Sequence, residues 1–263
     1  MDLDWMPFIW VAITLPILSL LGRWIHRHLH GLATLVTGNA NWAVILYALI
    51  LLPGVLLHEL SHWITAKLLR VRTGAFSILP KIGRDGTVQL GSVEYYKTRG
   101  VGPIRESLIG SAPLVAGTAV VLLITFRIID VDSLAIAIET GQVDRLTEAI
   151  ATLFDTSDFL LWLYLLFAIS NAMMPSASDR RAWPAFAAIM IAFALVLILL
   201  GVQDDLINTL AGPAATVFGH LGLAYSLVIG VDIFFIFIIY VLEQLISRIR
   251  GVELVYGRSQ TGS

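Results

Sequence analysis

Apolar residues in this chain fall in long blocks rather than alternating with polar ones. Six stretches carry few charges: residues 6–21, 42–69, 107–129, 159–174, 182–201 and 217–242. A run of about 16–25 such residues is long enough to cross roughly 30 Å of hydrocarbon as helix, and a helix satisfies its backbone within its own segment. The pattern therefore predicts an all-α polytopic membrane protein with about six transmembrane helices. One stretch breaks the pattern. Phe76 to Pro80 and Thr87 to Tyr96 flank Gly83-Arg84-Asp85-Gly86, whose Asp-Gly step signals a tight turn between strands. A small β-hairpin after the second span, with an edge open to an extended peptide, is one reading; a plain loop is the other.

Basic residues orient the spans, because cytoplasmic loops are enriched in them. Lys67, Arg70, Arg72, Lys81, Arg84, Lys97, Arg99 and Arg105 lie from the end of the second span onward and place that segment, hairpin included, in the cytoplasm. Asp130, Asp132, Glu139, Asp144, Glu148, Asp155 and Asp158 then fall outside, while Arg180, Arg181, Arg248, Arg250 and Arg258 fall inside. Both termini are expected in the cytoplasm. Arg23 and Arg27 conflict with this scheme, which puts them outside. His26, His28 and His30 beside them are read as an interfacial helix or loop, since i, i+2 spacing does not converge on a helix.

Composition sharpens the class. Hydrophobic residues make up 57% of the 263 residues and charged ones 14%, with a mean hydropathy of +0.84. A soluble domain has about 25% charged residues. Cysteine is absent, which excludes disulfides and thiolate metal sites. A net charge of −2 with no basic patch gives no sign of a nucleic-acid partner. Met1-Asp2-Leu3-Asp4 lacks the basic start of a secretory leader, so the first run is read as a retained span. There are no internal repeats or long linkers, and residues 1–263 read as a single membrane-embedded domain.

Chemistry enters at the end of the run from Trp42 to Leu57, where residues 58–62 read His-Glu-Leu-Ser-His. His58 and His62 project from one helical face a turn apart and can grip one Zn2+ ion, while Glu59 can take a proton from water. Ionisable groups are costly in hydrocarbon, so these are functional candidates by default. A catalytic zinc needs one more protein ligand. Asp179, after the Asn171-Ala172-Met173-Met174-Pro175 end of the fourth span, lies at matching depth; its alternative is a helix-end charge paired with Arg180 or Arg181. Pro175 should break that helix and free backbone groups to line a polar cavity. Asn171 is either a hydrogen-bond donor to substrate or a helix-packing residue. Asp232 and His220, in the last span, are read as packing residues or as relay elements.

On these residues the chain resembles the site-2 protease family of intramembrane zinc metalloproteases. His58-Glu59-x-x-His62 matches the family's first motif. Asn171 and Asp179 match the spacing of its Asn-x-x-Pro-x-x-x-Leu-Asp-Gly motif, with the proline one place later and Ser178-Asp179-Arg180 in place of Leu-Asp-Gly. Gly110-Ser111-Ala112-Pro113-Leu114 with Gly117 resembles the small-residue, proline-containing start of the intervening span, without its usual asparagine. The resemblance covers roughly residues 42–185 as catalytic core. It implies a zinc metalloendopeptidase that cuts a single-span membrane-protein substrate within its transmembrane segment, in the lipid bilayer near the cytoplasmic face. Other readings are an inactive relative that binds transmembrane helices as an adaptor, a protease of prenylated peptides with a glutamate ligand, and an ion transporter. No span after the motif offers a glutamate at the right depth, since Glu243 stands near the far end of the last one.

Overall fold

The computed structural model describes residues 4–82, 88–95, 101–252 and 256. It is a helical membrane protein. The first apolar block belongs to a helix twice its length, α1 (Met6–Thr37), because nothing in the sequence stops it before Gly38, which caps it at φ 66°. Pro16 sits inside α1, tolerated where neighbouring helices re-satisfy the freed carbonyl. Asn39 starts the next helix by accepting from the backbone N–H groups of Asn41 and Trp42. That block is not one straight span. It breaks at Leu51 into α2 (Ala40–Ile50) and α3 (Leu52–Leu68), bent by 74°. Pro53 in the first turn of α3 cannot continue α2, because its ring would strike the carbonyl four residues back.

After α3 come four short strands, β1 (Thr73–Ser77), β2 (Lys81–Ile82), β3 (Val88–Gln89) and β4 (Ser92–Tyr95). β1 pairs antiparallel with β4 and β2 with β3. The turn expected at Gly83 to Gly86 lies outside the described residues. α4 (Pro103–Leu123) continues into a π-helical turn, Ile124–Ile128. The acidic segment forms α5 (Val131–Thr140) and α6 (Val143–Asp155), and α6 meets α7 (Phe159–Met173) at an 88° bend. α8 (Trp183–Leu199) buries none of its residues. α9 (Gln203–Arg250) joins the sixth apolar block to its flanks in a single helix.

Among the described residues three helical segments are long and apolar enough to cross a membrane, residues 6–37, 103–128 and 207–250. The number rises to five if each bent pair is one span. The core lies where α1, α3, α4, α7 and α9 meet, around Ile25, Leu51, Val121, Leu166, Phe167, Met173 and Val228.

α1 and α9 pack side by side and run in the same direction. Trp10 Nε1 donates to Ser226 Oγ at 2.9 Å, His28 Nδ1 lies 2.8 Å from Glu243 Oε2, and Arg250 donates to the Val36 carbonyl at 2.8 Å. The start of α1 and the end of α9 therefore lie at opposite ends of the pair. Locating a helix by its apolar run stopped the first one at residue 21, whereas its polar second half carries Arg23 and Arg27 toward the end that holds Arg248 and Arg250. The native chain has no cysteine, so single cysteines at Trp5 and Val252 report sidedness cleanly. In sealed vesicles they should label from opposite faces; labelling from one face would contradict the parallel pair.

Candidate metal centre

His58 and His62 stand on α3 where it passes between α7 and α4. α3 approaches α7 closely because residue 54 is glycine: a Cβ there would lie 2.0 Å from the Ala168 carbonyl oxygen. The close approach puts His58 Nδ1 at 2.7 Å from the Ala172 carbonyl, and His62 Nδ1 lies 2.8 Å from that of Ile109 on α4. A carbonyl only accepts, so each ring carries a proton on Nδ1, and a neutral imidazole then has a bare lone pair at Nε2. The two Nε2 atoms lie 3.1 Å apart.

Asp179 completes the group from the turn after α7. Its Oδ2 accepts from the Ser176 N–H at 2.7 Å and from Ser176 Oγ at 2.6 Å. Its Oδ1 faces His62 Nε2 at 3.4 Å, and Oδ2 lies 3.8 Å from His58 Nε2. Gly110 on α4 makes room for this turn, since a Cβ there would meet the Asp179 carbonyl oxygen at 2.0 Å. One ligand atom from each of His58, His62 and Asp179 lies within 4.8 Å of the others, and the three could hold a metal ion. The donor set fits a cation. Lone pairs this close with no proton between them repel, and a tetrahedral ion with bonds of about 2.0–2.1 Å would hold its ligands roughly 3.3 Å apart.

The end of α7 explains how the carbonyls become available. In a continuing helix the Asn171 carbonyl would bond the N–H of residue 175, but Pro175 has none. His26 Nε2 donates to that carbonyl instead, at 2.9 Å, while Tyr47 Oη approaches His26 Nδ1 at 2.6 Å. Ser176 would be next to bond back, to Ala172. Its N–H goes to Asp179, which leaves the Ala172 carbonyl to His58. One irregular helix end thus orients two histidines and the third candidate ligand.

Glu59 is buried and lines a cavity of about 470 Å³ together with His58, His62, Asp179, His26, Tyr47 and Asn171. Its carboxylate has no hydrogen-bond partner among the described residues. The Leu90–Gly91 backbone between β3 and β4 lies directly against it, where a Cβ on Gly91 would come within 2.6 Å of Glu59 Cγ. Asn171 borders the cavity, but its Nδ2 donates inward to the Phe167 carbonyl and to Asp232 Oδ1, each at 2.9 Å. Its Oδ1 is buried without a partner among the described residues. In this conformation Asn171 therefore presents no free donor to a ligand.

The remaining sequence candidates fall elsewhere. Asp179 faces the histidines and Ser176 rather than Arg180 or Arg181, while Arg180 Nε donates to the Ser176 carbonyl. His220 is exposed, against the Thr216 carbonyl and Phe126. Glu243 pairs with His28 at the α1–α9 seam and accepts from Tyr256. Sequence reasoning missed Tyr47 and Ser176, and read His26 as part of an interfacial helix or loop rather than of the site. Only Pro175 pointed to them, since a proline that orphans the Asn171 carbonyl calls for a donor from another helix.

No protein-family model matches the chain, nor does any curated protein or solved structure.

Proposed function

We propose that the chain is an intramembrane zinc metalloendopeptidase that cleaves a single-span membrane protein within its transmembrane segment, near the cytoplasmic face. The observation that carries this reading is the convergence of two lone-pair Nε2 atoms and the Asp179 carboxylate in a cavity that also holds a buried Glu59 with no hydrogen-bond partner among the described residues. Two imidazoles and a carboxylate are the ligand set of a catalytic zinc that keeps one position open. The motif residues His58, Glu59, His62, Asn171 and Asp179 support membership of the site-2 proteases.

When bound, zinc supplies Lewis acidity that polarises a carbonyl and acidifies water. The chain's own residues supply the rest. His58 and His62 are held in the correct tautomer by Ala172 and Ile109, and Asp179 by Ser176. Glu59 takes the proton of the attacking water and passes it to the leaving nitrogen, as a C–O bond forms and the peptide C–N bond breaks. Residues Val88 to Val93 line the same cavity beside Glu59. A substrate helix must unwind locally to bring a peptide bond here, so Gly, Ser or Pro near the cut favours it.

In orientation, we place the α9 end with Arg248 and Arg250 in the cytoplasm together with Arg23, Arg27 and residues 70–105, and the segment 130–158 outside. The sequence reading of six passes then gives way to α2 and α3 entering and leaving on one side. The test is cleavage of a single-span reporter by the purified protein in proteoliposomes. A zinc chelator should abolish cleavage and added zinc restore it; cleavage that persists after the metal is stripped would reject the proposal.

A further inference from the structure

Asp232 is a carboxylate with 1% of its surface exposed, in the middle of α9, and the reaction proposed above makes no use of it. It touches no candidate ligand. Its Oδ1 accepts from Asn171 Nδ2 at 2.9 Å and from Ser170 Oγ at 3.4 Å, both in the last turn of α7. Those contacts reach the metal centre in one further step. The Asn171 carbonyl takes the His26 Nε2–H, and the carbonyl of the next residue, Ala172, takes the His58 Nδ1–H. The helix end bearing them cannot hold itself, because Pro175 offers no N–H and that of Ser176 is spent on Asp179. A helix terminus without its own hydrogen bonds frays unless another element fixes it.

We propose that Asp232 is a positioning residue for the metal centre: it pins the last turn of α7 through Asn171 and Ser170, and so sets the carbonyl that orients His58. The inference rests on His58, His62 and Asp179 being metal ligands, but not on proteolysis. Asp232 also fixes the sense of the Asn171 amide, since turning it over would set the amide oxygen against a carboxylate oxygen. What α7 needs from residue 232 on this account is a hydrogen-bond acceptor rather than a charge. Partners one bond removed from a metal ligand alter metal affinity by about 10–100-fold when lost.

Cobalt binding to the full-length protein in detergent, followed by its visible absorption bands, provides the test. Asp232→Ala should weaken cobalt affinity by about 10–100-fold and shift the bands, because His58 loses its fixed orientation. Asp232→Asn, which keeps an oxygen acceptor toward Asn171, should restore affinity and bands close to those of the natural protein. Should the alanine variant fail to fold, Asp232→Ser takes its place, since that hydroxyl can bond the carbonyl of Val228 on its own helix and leaves no orphan. Cobalt binding unchanged in the alanine or serine variant would overturn the proposal. So would an asparagine variant as impaired as either, which would make the charge the requirement. A protein with no metal site at all would bind no cobalt in any form, which separates failure of the site from failure of this inference.

Discussion

Replacing Glu59 by Gln should leave the metal and the helical bundle in place and lower cleavage by roughly 10²–10⁴-fold, the effect of removing a general base. Glu59 has no hydrogen-bond partner among the described residues, so the change should cost the fold little. The amide nearly matches the carboxylate in shape and fits the space beneath Gly91. It cannot take a proton from water at neutral pH. Cleavage of a single-span reporter, measured beside zinc content, checks both halves of the expectation. Full activity in Glu59→Gln would remove Glu59 from the mechanism, and equal cellular behaviour of the two proteins would favour a binding adaptor over a protease.

Replacing His62 by Ala should have a comparably large effect by a different route. It removes one of the two facing Nε2 lone pairs and leaves the Ile109 carbonyl without its donor. Metal affinity should fall by more than the roughly 10–100-fold expected for an outer partner, and cleavage should fall with it. The carbonyl left buried costs about 1–3 kcal/mol of stability, so the variant should also unfold at lower temperature. Retention of both metal and cleavage in His62→Ala would contradict the ligand assignment. The contrast with Glu59→Gln is diagnostic, since one variant loses the base and keeps the metal while the other loses the metal.

The residues that make the centre were legible in the sequence because their chemistry is expressed in short spacings. His58 and His62 share a helical face by the 3.6-residue period, and Pro175 marks the end of α7 wherever it packs. Asp179 required an argument from depth, and the geometry sets it beside the histidines. What escaped was the part written in contacts between distant segments. His26 was set aside because its neighbours at i+2 do not converge with it, yet it meets α7 across 145 positions of sequence. Asn171 looked like a donor to substrate by residue type, but Asp232, 61 residues away, occupies its amide hydrogens. The parallel α1–α9 pair was hidden for a similar reason. Charge counting treats each apolar run as a span that ends where polar residues begin, and α1 continues as helix through them to Gly38. The bend between α2 and α3 carried a local signal in Pro53, but an unbroken apolar run masks such a signal when hydropathy is averaged.

The central claim is that His58, His62 and Asp179 together hold one metal ion. It is tested most directly by elemental analysis of the detergent-purified protein beside Asp179→Ala. Asp179 gives Oδ1 to the centre, its side chain is held by Ser176 in the same turn, and only its backbone packs against Gly110, which an alanine would keep. Its loss should therefore empty the site without unfolding the bundle. Stoichiometric zinc is expected in the natural protein and sharply reduced zinc in Asp179→Ala, with both inserted in the membrane alike. Full zinc occupancy in Asp179→Ala, or no bound metal in the natural protein, would contradict it.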